Sequence, residues 1–146
     1  MTRSHINPEL TYDLRLLSDS LSAWQRSAGL RAVYAKLYQA IRSRCVEGRS
    51  LELGAGIGVS KLFFDDVVTS DVAQTPYVDC AMSAYAIASS EGGAWANIFA
   101  IDMLHHLMRP MDFFASAARA AAGRAHSAAG AGGDLRWQGL LCALSS

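Results

Sequence analysis

The chain has 146 residues, of which 51% are hydrophobic and 18% charged, and its formal net charge is zero. A chain of this length forms one domain and can bury roughly 68% of the surface that its unfolded form exposes. The charge balance argues against a nucleic-acid partner held by bulk electrostatics, which requires a surplus of Lys and Arg on one face.

Pro8, Glu9, Asp13 and Arg15 interrupt the first segment, so no signal-peptide core is read there. No stretch reaches the ~20 apolar residues of a membrane span, and no membrane partner is expected. The three cysteines, Cys45, Cys80 and Cys142, are widely spaced and odd in number. That pattern suggests neither a disulfide framework nor a zinc site, and it points to thiols in a reducing cytoplasm.

Residues 1–45 read as a helical segment. Leu30, Val33, Tyr34, Leu37, Tyr38 and Ile41 recur at steps of three and four, which places them on one helix face. Ser27 and Gly29 punctuate the chain before that helix, so Leu14 to Trp24 is expected as a separate, shorter one. The pair would cover the edge of a sheet or act as a lid over a substrate.

Residues 46–122 alternate between strand-like and helix-like texture. Arg49 to Leu53 reads as a short strand, Ile57 to Phe64 as a helix, and Val67 to Ser70 as a β-branched strand ended by acidic Asp71. A third strand is expected around Tyr77 to Met82 and a fourth at Asn97 to Ile101. Pro110 suits the first turn of a closing helix that extends to about Ala122, with Asp112 where the helix dipole favours an acid. Strand and helix in alternation imply an α/β, Rossmann-like parallel sheet of about four strands with flanking helices.

The run Glu52-Leu53-Gly54-Ala55-Gly56-Ile57-Gly58 carries the chemistry. A strand end feeds a glycine-rich turn and then a helix start, where free N–H groups and a partial positive charge can hold an anion. Val59 stands where a dinucleotide fingerprint requires its third glycine, and no Gly-Lys-Ser/Thr follows, so nicotinamide and Walker-type sites are disfavoured. The alternative is a tight turn with no ligand. Asp71 ends the next strand seventeen positions after Gly54. There its carboxylate can accept hydrogen bonds from both hydroxyls of a ribose, or it can simply cap the chain.

Three elements in order, Leu51 to Gly58, Thr69-Ser70-Asp71-Val72, and Asp102-Met103-Leu104-His105-His106-Leu107 with Arg109-Pro110 and Phe113-Phe114, resemble the class I S-adenosylmethionine-dependent methyltransferases, in particular the broad type 11 group. The resemblance spans roughly Arg49 to Arg119. It implies S-adenosyl-L-methionine as cofactor and a small-molecule methyl acceptor. By position, Glu52, Gly54, Ala55, Gly56 and Gly58 would surround the methionine portion, Asp71 would hold the ribose, and Val72 would pack on the adenine. Ser83 falls where the family usually has an acid near the adenine amine, and it bonds more weakly than a carboxylate. Asp102 would open towards the reacting methyl group, with His105 at the cofactor mouth and His106 packed within its helix. Neighbouring histidines point about 100° apart on a helix, so no metal site is expected. Methyl transfer from a sulfonium depends mostly on holding donor and acceptor in line, and no catalytic residue is nominated.

Residues 123–146 change character to an Ala/Gly-rich tail expected to be poorly ordered. Gly132-Gly133 offers a turn, Asp134 to Gln138 makes a poor half-buried strand, and Leu140 to Leu144 is one apolar stretch. The sheet is therefore expected to be incomplete on its C-terminal side, with an edge left for a partner or a second copy to cover. The bias after about Arg119 matches out-of-frame reading of GC-rich DNA, the alternative being a minimal domain completed by a partner. A truncated or degenerate binding module without catalysis is the rival functional reading.

Overall fold

The computed structural model describes residues 8–87, 95–128 and 141–144. Two helices come first, α1 (Pro8–Arg26) and α2 (Ala28–Arg42). The break between them is chemical: Ser27 is extended, and its hydroxyl accepts the Leu30 N–H at 3.1 Å, which satisfies one of the orphan donors of α2. Both helices are longer than the apolar spacing alone predicts.

The strands β1 (Ser50–Leu53), β2 (Val67–Asp71), β3 (Cys80–Ala81), β4 (Asn97–Ile101) and β5 (Leu141–Leu144) form one sheet in the order β3-β2-β1-β4-β5. Every pairing is parallel. This is the Rossmann-like α/β architecture expected, with one strand more than the four read from the sequence. β5 pairs Leu141 to Leu144 against Ile98 to Ile101, so the last apolar stretch extends the sheet beyond β4. The closing helix α3 (Pro110–Ala128) also runs past the expected end at Ala122. The Gly132-Gly133 turn and the Asp134–Gln138 stretch lie outside the described residues.

β1 and β4 are the buried centre. All four residues of β1 are buried, as are Asn97 to Ala100 of β4, because helices cover both faces. The strand period of two sorts their side chains. Leu51, Leu53, Ile98 and Ala100 face a core completed by Phe113 and Ala117 of α3. Phe99 faces a second core with Tyr38 and Ile41 of α2, Val59 and Phe64. Glu52, which alternates with Leu51 and Leu53, turns to this second side, where the Tyr38 hydroxyl meets it. A carboxylate is thereby built into an aromatic core.

One expected element is corrected. Ile57 to Phe64 is not an α-helix; only Val59–Leu62 winds, as a 3₁₀ turn. Gly54, Gly56 and Gly58 all adopt left-handed backbone, with φ of 64°, 54° and 65°. The turn consumes the first half of the connection, and Asp65-Asp66 already precedes β2. The apolar mass assigned to that helix goes elsewhere: Phe63 stacks on Tyr38 at 4.9 Å and Phe64 on Phe99 at 5.0 Å. Among the described residues no helix is long and apolar enough to cross a membrane.

Candidate functional site

The glycine turn leaves β1 at the carboxyl end of the sheet, the edge where parallel α/β sheets place their ligands. Hydrogen bonds fix its path. Ala55 N–H donates to the Ser70 carbonyl and Gly58 N–H to that of Ala55, each at 2.9 Å. The Asp71 carboxylate holds the middle, accepting from Gly56 N–H at 3.1 Å through one oxygen and from Val72 N–H at 2.7 Å through the other. Asp71 is therefore a cap of the loop in this structure. An ionised carboxylate has about four lone-pair sites, so acceptor capacity remains beyond these two bonds.

The three glycines do different work. A Cβ on Gly58 would lie 2.3 Å from the Tyr77 carbonyl oxygen, so this glycine is required by packing against main chain. A Cβ on Gly54 would meet the Met103 side chain at 2.7 Å. At Gly56 the first atom met is Leu17 Cδ2 at 3.7 Å, so its α-carbon faces open space. That space belongs to a cavity of about 490 Å³. Its floor is the β1 end and the turn, from Glu52 through Val59, and Ile101 and Asp102 bound it on the β4 side. Its roof is Leu17, Ser20, Ala23 and Trp24 of α1 with Leu30, Tyr34 and Tyr38 of α2. The volume lies within the roughly 300–1,000 Å³ of small-molecule sites.

Glu52 is the unusual group in the floor. It is 2% exposed, with the Tyr38 hydroxyl donating to Oε1 at 2.9 Å and the Ser60 hydroxyl donating to Oε2. Burial pushes its carboxyl up to about 7, against the two hydroxyl bonds that favour the ionised form; the Asp71 charge adds to the rise. Burial and the neighbouring Glu52 carboxylate likewise drive the Tyr38 phenol far upward, so it stays a neutral donor. The Tyr34 phenol is raised by burial first, then by the charges of Asp102 and Glu52. Trp24 contributes a buried indole N–H with no hydrogen-bond partner. An unsatisfied donor of this kind costs about 1–3 kcal/mol, and such groups are uncommon enough to need a reason.

Asp102 follows β4 with φ at 55°, the left-handed region that Asp tolerates better than most residues. The following Leu104–His106 segment is a 3₁₀ turn. Leu104 and Leu107 both pack against the α3-side core, and residues three apart eclipse in a 3₁₀ helix. The two histidines are left on the remaining sides, their ring centroids 3.9 Å apart. His106, not His105, lines the cavity. His105 turns to Asp102, with Nδ1 3.5 Å from Oδ1. Neither histidine packs within a helix as expected of His106; both are exposed, because the turn is tighter than the α-helix assumed for it.

The cavity brings together Glu52, Gly54, Ala55, Gly56 and Asp102 of the residues read from the sequence. Gly58, Asp71, Val72, Ser83 and His105 stand outside its lining. Val72 is 80% exposed, and Ser83 is exposed with its hydroxyl accepting the Tyr85 N–H at 3.3 Å. The cavity thus lies beside Gly56 and Asp102 and does not extend to the β2–β3 side. The sequence offers the two N-terminal helices as a lid over a substrate but does not single out Trp24, Tyr34 and Tyr38 as lining residues; Tyr34 and Tyr38 read there as part of one helix face. The available signal was that three rings with polar tips are more than sealing a sheet requires. Asp79 was missed too. It accepts from Thr69 N–H and hydroxyl, both at 2.9 Å, and from Lys61 Nζ at 2.6 Å. Those bonds outweigh its burial and hold its carboxyl below the usual range, consistent with a structural clamp on β2.

Among the described residues no group of three or more His, Cys, Asp or Glu is placed to hold a metal ion. Comparison of the chain with protein-family models, curated proteins and solved structures finds no match.

Proposed function

We propose that the chain binds S-adenosyl-L-methionine over the glycine turn and transfers its methyl group to a small molecule held beneath α1 and α2. The observation that carries this reading is the open face of Gly56, left-handed and free of contacts below 3.7 Å, at the floor of a half-open cavity one strand from Asp71. The residues fit the cofactor in this way. The turn Gly54 to Gly56 lets a methionine moiety approach main chain without meeting a Cβ. Asp71, at the tip of β2, would accept the ribose hydroxyls with the acceptor capacity left beside its two N–H bonds, and Val72 and Ser83 are on the side where an adenine would rest. When bound, the cofactor supplies a methyl group already activated by its sulfonium. The chain's own part is positional: the roof of α1 and α2 excludes water and holds the acceptor against the β4 end, and Asp102 and Glu52 give the cavity a field that favours positive charge.

Isothermal titration of the whole chain against S-adenosylhomocysteine and NAD tests the reading. Heat is expected with the first and none with the second; heat with NAD alone would overturn it. Asp71→Asn keeps an oxygen for the Gly56 N–H but removes the charge. It is expected to weaken S-adenosylhomocysteine binding by about 1.5–3 kcal/mol, the range for hydrogen bonds to a charged group. The melting temperature should also fall by a few degrees, because the amide nitrogen leaves the Val72 N–H without its acceptor. Unchanged affinity would leave Asp71 as a loop cap only.

A rival reading, a binding module without turnover, is favoured by a cavity that does not extend to the β2–β3 side and by Asp71 already engaging two N–H groups. Ligand binding without methyl transfer to any small-molecule acceptor would select it.

A further inference from the structure

Helix α3 carries apolar side chains on two opposite faces. Phe113, Ser116 and Ala117 are buried towards the sheet, with Phe113 and Ala117 in the core beside β1 and β4. Turned away from them are Met111, Phe114, Ala115 and Ala118, spaced at i, i+3, i+4 and i+7 and all exposed. Met111 is 75% and Phe114 39% exposed, and Met108, just before the helix, is 92% exposed. Single apolar side chains on a surface are ordinary, but a contiguous stripe along the outer face of a helix marks a docking surface.

Two exposed charges flank the stripe. Asp112 and Arg119 are seven residues apart, within about 20° of two full turns, so both stand on the same side of it. Asp112 also meets Arg109 of its own chain at 3.0 Å, but its side chain is 55% exposed and a carboxylate has about four lone-pair sites to share. This pattern is complementary to itself. In a parallel two-fold pair of α3 helices, the charged flank of one would face the Phe114 flank of the other. In an antiparallel pair the two charged flanks come together. With the axis between Ala115 and Ser116, Asp112 of each copy stands level with Arg119 of the other. The same register seats Met111 beside the other copy's Ala118 and brings the two Ala115 methyl groups together at the axis. Small side chains there let the helices approach closely.

We infer that α3 pairs antiparallel with α3 of a second copy of this chain, the apolar stripe forming the centre of the interface and Asp112 and Arg119 its rim. The cavity lies beneath α1 and α2, against the other core, so the pairing leaves it accessible and does not depend on the methyltransferase reading. One helix face is smaller than the roughly 800 Å² per partner of a standard interface, so the dimer is weak and set by concentration.

Sedimentation equilibrium of the whole chain from about 5 to about 500 µM is expected to show monomer giving way to dimer. Ala115→Glu sets two carboxylates against each other at the axis. It should weaken dimerisation at least about tenfold while the melting temperature stays within a few degrees, since the position is exposed and glutamate suits a helix. Arg119→Asp places like charges level with each other twice and should weaken the dimer about fivefold or more at low salt. The double variant Asp112→Arg/Arg119→Asp restores both pairs with their signs reversed and should recover most of that loss. A chain that stays monomeric over the whole range, a dimer unmoved by either single variant, or a loss in Arg119→Asp that the double variant does not recover would each overturn the proposal. Should Ala115→Glu fail to fold, the charge series alone decides.

Discussion

Gly58→Ala is expected to prevent stable folding, while Gly56→Ala leaves the fold standing and abolishes ligand binding. Both glycines are left-handed, so alanine at either costs about 1–2 kcal/mol in backbone strain. They differ in what the new methyl group meets. At Gly58 it would stand 2.3 Å from the main-chain oxygen of Tyr77. A carbonyl in a turn that leads into β3 cannot swing aside as a side-chain tip can, so the turn or the β3 approach must move. The total is expected beyond about 4 kcal/mol, a large part of the roughly 5–15 kcal/mol that holds a domain folded. At Gly56 the methyl group would find Leu17 at ordinary contact distance, and it would fill the floor of the cavity. Thermal unfolding followed by circular dichroism is the check, with titration of S-adenosylhomocysteine into the variant that folds. Gly58→Ala should melt about 10 °C or more below the wild-type chain, if it folds at all. A melting point within a few degrees would mean that the loop yields easily and that the contact with Tyr77 is not fixed.

This contrast marks how far the sequence could be read. The glycine spacing identified the turn, and β4 was legible because Ile98 to Ile101 is a continuous apolar run with little else to be. The distinct jobs of Gly56 and Gly58 were not legible, since nothing local to Gly58 says that Tyr77 will pass beneath it. The loss of the expected helix after the turn has the same origin. Phe63 and Phe64 look like a helix face in sequence, but their partners Tyr38 and Phe99 come from distant elements, and stacking with those rings sets the backbone. β3 shrank to Cys80–Ala81 for a related reason. Asp79, just before it, turns back to clamp Thr69, which takes the preceding residues out of ladder pairing. The floor of the site was written in neighbouring residues and could be found residue by residue; the helices were legible as a candidate lid, but which of their side chains between Leu17 and Tyr38 would line the cavity was not.

Glu52 should make the protein less stable as the pH rises from about 4.5 to about 7, and Glu52→Gln should remove that loss. In the unfolded chain the carboxyl titrates at its ordinary value of 4.5; in the folded chain burial raises it to about 7. Between those values the folded state binds more proton than the unfolded state. The slope of unfolding free energy with pH is therefore negative over this window. The stability this group supplies is fully present below the unfolded value and is lost as the pH passes through the folded value. Integrated over the window, the difference is about 3 kcal/mol, an order-of-magnitude figure for a side chain that is almost fully buried. Glutamine removes the ionisation and still offers an oxygen to the Tyr38 hydroxyl, while its amide can donate to Ser60 with that hydroxyl rotated. Chemical denaturation of both chains at about pH 5 and pH 8 isolates the effect, because every other titrating group is shared between them. The wild-type minus variant difference is expected to become less favourable by about 2.5 kcal/mol between the two conditions, since part of the effect is already spent at pH 5. Tyr38→Phe provides the opposite displacement: without its hydroxyl bond the Glu52 carboxylate loses a donor, and the pH-dependent loss should extend to higher pH. A difference that stays flat across the range, or that grows more favourable with pH, would show that Glu52 is ionised comfortably in the fold. Among the described residues Glu52 meets its two hydroxyl partners and the floor of the cavity, so a loss that disappears in Glu52→Gln would mark a carboxylate kept at the cavity at a cost to the fold.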